Sequence, residues 1–251
     1  MLTVNGISKT FKNSNSETLH VLDNISFSVK QGDIIGILGK SGCGKSTILR
    51  IIAGLLLPDN GDCCVDNCEI SEFLKDNNIG FVFQKATLFP WLNLIENLLF
   101  PVNIINKGYG REDIQKAEDL LKKFGISEYK TYYPYQLSGG MLQRASVARA
   151  FMCDPKILLL DEPFNAIDEQ TREKLWVDLR KFWKTENTTV ILVTHSVREA
   201  IFFSDQVHIL SSKPATVINS VNIDLPYIRE KELIVDNHFN EIEKKIRNLY
   251  G

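Results

Sequence analysis

The sequence predicts an α/β protein: a parallel-sheet core, an antiparallel β subdomain at its N-terminal end and an α-helical subdomain inserted in its middle. Three observations carry this. Apolar residues alternate through the first thirty positions, as in antiparallel strands with one buried side. Three later runs, Ile34–Leu38, 157–160 and 190–193, are almost continuously apolar, as in strands covered on both faces of a parallel sheet. Over about residues 87–155, apolar residues recur at helical spacing.

The elements follow in order. Leu2 and Val4, Leu19 and Val21, then Ile25, Phe27 and Val29 fall on one face at period two, with a polar, turn-like stretch at 13–17. Gly39 ends the first apolar strand. From Thr47 a helix is predicted, with Ile48, Leu49, Ile51, Ile52 and Leu55 on one broad face, Gly54 in its last turn and Pro58 unable to continue it. Ile114, Ala117, Leu120, Leu121 and Phe124 mark a second helix, and residues 138–152 a third, with Ser138 placed to cap it. Strands are predicted at 157–160, 190–193, 206–210 and 216–223, and Phe239, Ile242, Ile246 and Leu249 form a closing helical stripe. No Gly, Ser or Pro-rich linker and no internal repeat divides the chain. We therefore expect one domain over 1–251, with its core at 1–86 and 156–227, the helical subdomain at 87–155 and a helical tail at 228–251.

The 251 residues hold 29 Lys and Arg against 31 Asp and Glu, a net charge of −2, and are 44% hydrophobic. That excludes a disordered chain and a strongly basic nucleic-acid binder. The longest apolar run, 51–57, is interrupted by Gly54, far short of the roughly 20 residues that span a bilayer. The first residues lack the basic start and apolar stretch of a signal peptide. The expectation is a soluble, cytosolic chain whose membrane role, if any, comes through a partner. The five cysteines are an odd count, which favours reduced thiols. Cys63, Cys64 and Cys68 read as small packing residues in a short hairpin; no second Cys or His pair stands at zinc spacing.

Residues 39–46 satisfy G-x-x-x-x-G-K-[ST], after a buried strand and before an amphipathic helix. Gly39, Gly42 and Gly44 permit torsions that a Cβ resists. The backbone amides of Lys40, Ser41, Cys43 and their neighbours through Thr47 can then turn inward as an anion nest at a helix N-terminus. Lys45 supplies a point charge for the outer phosphates, and Ser46 a hydroxyl for Mg²⁺. Alone, this indicates a nucleoside triphosphate or a similar phosphate compound and leaves kinases, GTPases and motor ATPases open. The strand at 157–160 leads into Asp161, Glu162 and Pro163. It delivers two carboxylates to the strand end, where open α/β sheets bind ligands. Asp161 suits metal support through water, and Glu162 suits polarising an attacking water.

A third stretch, LSGGMLQR at 137–144, resembles the signature of ATP-binding cassette (ABC) ATPases. Ser138, Gly139 and Gly140 open a helix, so bare amides and a hydroxyl face outward as a second phosphate-binding surface. The resemblance implies a head-to-tail dimer, each ATP lying between the loop of one subunit and the signature of the other. It also implies roles for further residues. Gln84 matches the glutamine that reaches Mg²⁺ and water, and His195 the histidine at the γ-phosphate. Phe11 matches the aromatic residue against adenine. Asn165, Ala166, Ile167 and Asp168 match the loop that crosses the dimer. The resemblance covers about residues 1–227. Two departures, Lys40 for proline or arginine and Ile167 for leucine, remove no chemical group, so an active ATPase using ATP and Mg²⁺ is expected.

Residues 88–91 (LFPW), then Ile95, Glu96 and Asn97, and Pro134, Tyr135 and Gln136 before the signature look like the ATPases of nitrate, sulfonate and taurine importers. Residues 198–200, 205–207, 210–214 and 224–226 are similar to that group too, with the usual closing arginines reduced to Arg229. The resemblance implies a peripheral subunit at the cytoplasmic face of the cell membrane, partnered by permease transmembrane subunits, a second ATPase subunit and, indirectly, a solute-binding protein, with no nucleic acid. The solute would be nitrate, a sulfonate, taurine or a pyrimidine-type compound. An exporter or lipoprotein-release ATPase and a non-transport ABC ATPase are the alternatives. Phe89, Trp91 and Leu92 either form an apolar groove for a permease helix or fill the subdomain's own core.

Overall fold

The computed structural model describes residues 1–12, 17–76, 79–164 and 169–250. In chain order the elements are β1 (Leu2–Lys12), β2 (Thr18–Val29), β3 (Ile34–Leu38), α1 (Lys45–Ile52), β4 (Asn60–Val65), β5 (Cys68–Glu69), α2 (Ile70–Asp76), β6 (Ile79–Val82), α3 (Leu94–Asn106), α4 (Arg111–Lys123), α5 (Gly139–Ala150), β7 (Ile157–Asp161), α6 (Glu169–Thr185), β8 (Thr189–Thr194), α7 (Val197–Phe203), β9 (Gln206–Leu210), β10 (Val217–Asn222) and α8 (Asn237–Tyr250). Two sheets form, in the orders β2-β1-β4-β5 and β10-β9-β3-β8-β7-β6. The first is antiparallel. The second is parallel except for β10, which pairs antiparallel with β9.

The apolar strands explain the layering. In β3, Ile34 and Leu38 join one buried cluster, while Ile35 and Ile37 join another. Leu158 and Leu160 of β7 and Val190 and Leu192 of β8 divide from their neighbours in the same way. Both faces of this sheet are therefore covered, as period-two alternation inside a wholly apolar run requires. One face packs on α1 and the antiparallel sheet; the other packs on α6, α7 and α8, centred on the buried Trp183, Phe202 and Phe203. The elements between β6 and β7 are helical, and α5 packs on α3, α4 and β6.

Three details differ from expectation. Leu19 is 47% exposed although Val21 is buried. Register shifts between β1 and β2 turn the two ends of the pair differently, because a bulge adds twist and reorients side chains. Helix α1 starts at Lys45, two residues early, with Ile48 N–H bonding Gly44 O at 3.1 Å. It stops at Ile52 because Gly54 takes a left-handed φ of 68° and Leu55 N–H returns to Arg50 O at 2.9 Å. Leu55 is thereby turned outward, and Ile114 of α4 lies at the edge of its stripe, also exposed. The stretch 13–17 lies outside the described residues apart from Glu17. Cys63, Cys64 and Cys68 sit on the β4–β5 hairpin, where burial pushes the Cys63 thiol up to about 12, so it is held as a neutral packing group.

Candidate nucleotide site

The cradle is built where β3 ends. Gly39 passes so close to its neighbours that a Cβ there would stand 2.6 Å from Cys43 Sγ and 3.3 Å from Leu210 Cβ. Gly44, at φ 125°, abuts β2: a Cβ would meet Leu22 Cδ2 at 2.8 Å and Val21 Cγ1 at 3.0 Å. These approaches exclude other residues and fold the loop back over the start of α1. Cys43 is buried, Thr47 is half-buried, and Lys40, Ser41 and Gly42 form the exposed rim. Lys40 thus faces solvent. Lys45 lies beneath, only 3% exposed, its Nζ donating to Gly39 O at 2.8 Å and Lys40 O at 3.2 Å.

The strand ends converge on this lysine. Glu162 Oε1 lies 3.1 Å from Lys45 Nζ. Its Oε2 accepts from Gln84 Nε2 at 3.3 Å and lies 3.1 Å from His195 Nδ1. Glu162 has φ 46°, a left-handed torsion that a non-glycine residue adopts at a cost of about 1–3 kcal/mol and that clusters at functional positions. Ser46 Oγ donates to Asp161 Oδ1 at 2.9 Å. Burial pushes the Asp161 carboxyl up, against the pull of the Ser46 hydrogen bond. A buried carboxylate next to a hydroxyl, flanked by an amide, is a set of hard oxygen donors that suits Mg²⁺, which takes few protein ligands beside phosphate oxygens and water.

Lys45, Ser46, Gln84, Asp161, Glu162 and His195 are thus brought together. Phe11, 38% exposed, pairs across the sheet with Leu19, two residues from the Val21 that touches Gly44. It stands on the same sheet as the loop's support, with Lys9 Nζ 5.8 Å from its ring. Ser138, Gly139 and Gly140 stand apart, at the exposed start of α5, where Ser138 Oγ accepts from Met141 N–H at 3.4 Å. Asp168, with 165–167, lies outside the described residues.

The segment at 88–97, singled out from the sequence, borders groups that were not. A concavity of about 560 Å³ lies on the helical region, lined by Phe83, Thr87, Phe89, Phe100, Pro101, Ile104, Ile105 and Arg149. Trp91 is 68% exposed and packs on Phe89, 5.4 Å between ring centroids, so it is a surface group and not subdomain core. The groove's main wall is α3, which buries Leu94, Leu98 and Val102 yet leaves Ile104 and Ile105 open. The signal was present: a helix apolar on all sides has a second face to cover. Asn97 is fully buried; its amide donates to Phe89 O, Leu92 O and Asn93 O, and its carbonyl accepts from Phe89 N–H at 2.7 Å. Glu96 and Asn93 form a capping box. Arg149 ties α5 to Thr87.

A glycine loop closed over a buried lysine at the end of β3, with paired carboxylates at the end of β7 in the same sheet, has the make-up of a nucleotide-hydrolysing site of the P-loop class. The chain matches the sequence model of the ABC transporter family over residues 22–165, more than half its length. It belongs to that family, and as an ATP-binding cassette it is an ATPase. It is 41% identical over 249 residues to an uncharacterized ABC transporter ATP-binding protein of Methanocaldococcus jannaschii, covering 99% of this chain and 90% of the relative. It is 39% identical over 245 residues to an aliphatic sulfonates import ATP-binding protein of Bacillus cereus (98% and 94%). Identity is 36% over 244 residues with a taurine import ATP-binding protein of Roseobacter denitrificans (97% and 88%). A dimeric structure of the post-hydrolysis state of the ATP-binding cassette MJ0796, bound to ADP and Pi, matches with a TM-score of 0.80 at 32% identity, over 90% of this chain and 100% of that one. Among the described residues, no helix is long and apolar enough to cross a membrane.

Proposed function

We propose that this chain is the ATP-hydrolysing subunit of an importer for a small solute, a sulfonate-, taurine-, nitrate- or pyrimidine-type compound. It works as a head-to-tail dimer on the cytoplasmic side of a separate membrane permease supplied by a solute-binding protein. The observation that carries the reading is a pair of complementary phosphate surfaces on one chain. One is closed around Lys45 and Glu162; the other, opened by Ser138 and Gly139, is exposed. The importer branch is supported by the likeness to sulfonate and taurine import proteins and by the apolar groove beside Trp91, which suits a short permease helix.

The residues then divide the work. Amides of residues 39–47 and Lys45 Nζ hold the β- and γ-phosphates, and the Phe11 ring faces the base. Ser46, Asp161 and Gln84 would hold Mg²⁺, which neutralises developing phosphate charge. Ser138 and Gly140 of a second copy close over the γ-phosphate, with Asp168 at the crossing loop. Glu162 accepts a proton from the water that attacks phosphorus, while His195 keeps the carboxylate aimed. As the new P–O bond forms, the bond to the β-phosphate oxygen breaks, giving ADP and phosphate. The contacts bridging the two copies are lost, and reopening returns the permease to its other state. The helical part of the chain, residues 87–155, carries that motion, while the C-terminal segment is docked on the core through Ile234, Phe239 and Ile246.

Glu162→Gln keeps shape and removes the base. Turnover should fall roughly 10²–10⁴-fold with ATP binding retained, and ATP should now trap a dimer on gel filtration. A variant that stays monomeric with ATP and turns over normally would refute the proposal.

A further inference from the structure

His195 sits on a turn fastened from two sides. Inside, Thr194 Oγ1 donates to Glu199 Oε2 at 2.5 Å and accepts from Ser196 N–H at 3.0 Å, while Ser196 Oγ accepts from Glu199 N–H at 3.3 Å. Outside, Arg198 reaches away from the cradle to the C-terminal segment. Its Nη2 donates to Ile234 O at 2.9 Å, its Nε lies 3.3 Å from Glu243 Oε2, and its guanidinium lies 5.9 Å from the Phe239 ring centroid. Phe239 and Ile246 of α8 are fully buried, so α8 is a fixed support. Glu243 is itself held by Arg247 at 2.6 Å. The far end of α8 runs toward the cradle: burial, then the nearby Cys43 and Glu162, push the Tyr250 hydroxyl up.

Two features make this more than packing. The His195 side chain is half exposed, 49%, so its orientation rests on its contact with Glu162 at 3.1 Å and on the turn at 194–198 that carries its backbone. The Arg198–Glu243 pair, 42% and 14% exposed, joins α8 to the start of α7. Its main consequence is local: it fixes the first turn of a seven-residue helix directly after the histidine.

Given the role proposed above for His195, we infer that Arg198 and Glu243 are positioning residues for it, which makes the C-terminal helix a working part of the ATP site. The test is steady-state ATP hydrolysis by the full chain. Arg198→Met and Glu243→Gln should each lower kcat roughly tenfold, since small misplacements at a reacting centre are costly, and leave KM within about twofold. Arg198→Lys, which keeps the charge, should recover most of the rate. In a His195→Ala background, Arg198→Met should cost less than about twofold more, because its effect passes through the missing imidazole. A folded Arg198→Met protein with normal kcat, or losses that multiply fully in that background, would overturn the inference. If Arg198→Met does not fold, Glu243→Gln leaves the arginine in place and decides the same question. A wild type without ATPase activity, or one indifferent to His195→Ala, removes the site reading and this role with it, and is seen before any Arg198 or Glu243 variant is measured.

Discussion

Two stretches of this chain lead glycines into a helix, and they are finished in opposite ways. The loop before α1 is closed by its own chain: Lys45 is buried under two carbonyls and a carboxylate, and Val21, Leu22, Cys43 and Leu210 crowd its glycines. The start of α5 is open, with Ser138 and Gly139 exposed and a cap bond that stays within the helix. The groove beside Trp91 is open in the same manner. Closed surfaces serve the ligand that one chain can hold. Open ones, bearing donors and apolar groups whose burial is favourable, are on the proposed reading completed by another molecule.

The sharpest way to break this comparison is to damage each glycine turn in turn. Lys45→Ala should weaken nucleotide binding to the isolated chain roughly hundredfold, as loss of a buried charge-assisted contact implies; equilibrium binding of a fluorescent ATP analogue reads it. Ser138→Arg should leave that binding within about threefold, yet reduce hydrolysis roughly hundredfold, the scale of one lost transition-state donor. Equal effects on binding would erase the distinction between the two turns.

Asn97→Ala tests whether the open groove has a fixed floor. It strips partners from three carbonyls and one amide of the 89–93 segment. It should cost about 2–3 kcal/mol in denaturant unfolding. Comparable or slightly smaller is a pH effect far from both surfaces, which gauges global stability. Burial drives His208 down to about 4 from 6.5; its Nδ1 lies 2.7 Å from Ser220 Oγ, and its Nε2 has no partner among the described residues. The unfolded chain therefore binds the extra proton first. The stability that His208 contributes is intact above about pH 6.5 and falls as pH drops toward 4, by roughly 1.4 kcal/mol per unit. His208→Gln should flatten that slope between pH 6.5 and 5 in urea titrations. Trp91→Ala should do least to the fold, within about 0.5 kcal/mol, and most to co-purification with the permease.

The local signals read well from sequence. The strand ending at Leu38, the glycine loop, Ser138 as a cap and the carboxylates after residue 160 each follow from a few adjacent residues, and the structure places them as expected. Position on a face read less well. Leu19, Leu55 and Ile114 keep their periodicity but lie outside the core, because a bulge, a left-handed glycine and a stripe edge moved them. Asn97 and Arg198 were marked only by the likeness to importer ATPases, and their structural roles had no local signal, since their partners lie on other segments or in a loop whose path is set elsewhere.

What the sequence by itself determined is a set of short-range conformations: which residues turn, cap, alternate or run apolar, and which chemical groups stand at the ends. Those depend on torsions and spacing within about one turn or one strand. The tertiary structure alone decided which of these groups meet. Ser46 and Asp161 are 115 residues apart, Gln84 and Glu162 are 78, and Glu162 and His195 are 33. Such contacts arise only when β6, β7, β8 and β3 align in one sheet, because burial of both faces of those strands, and not any attraction among the polar groups, brings their ends to a common edge.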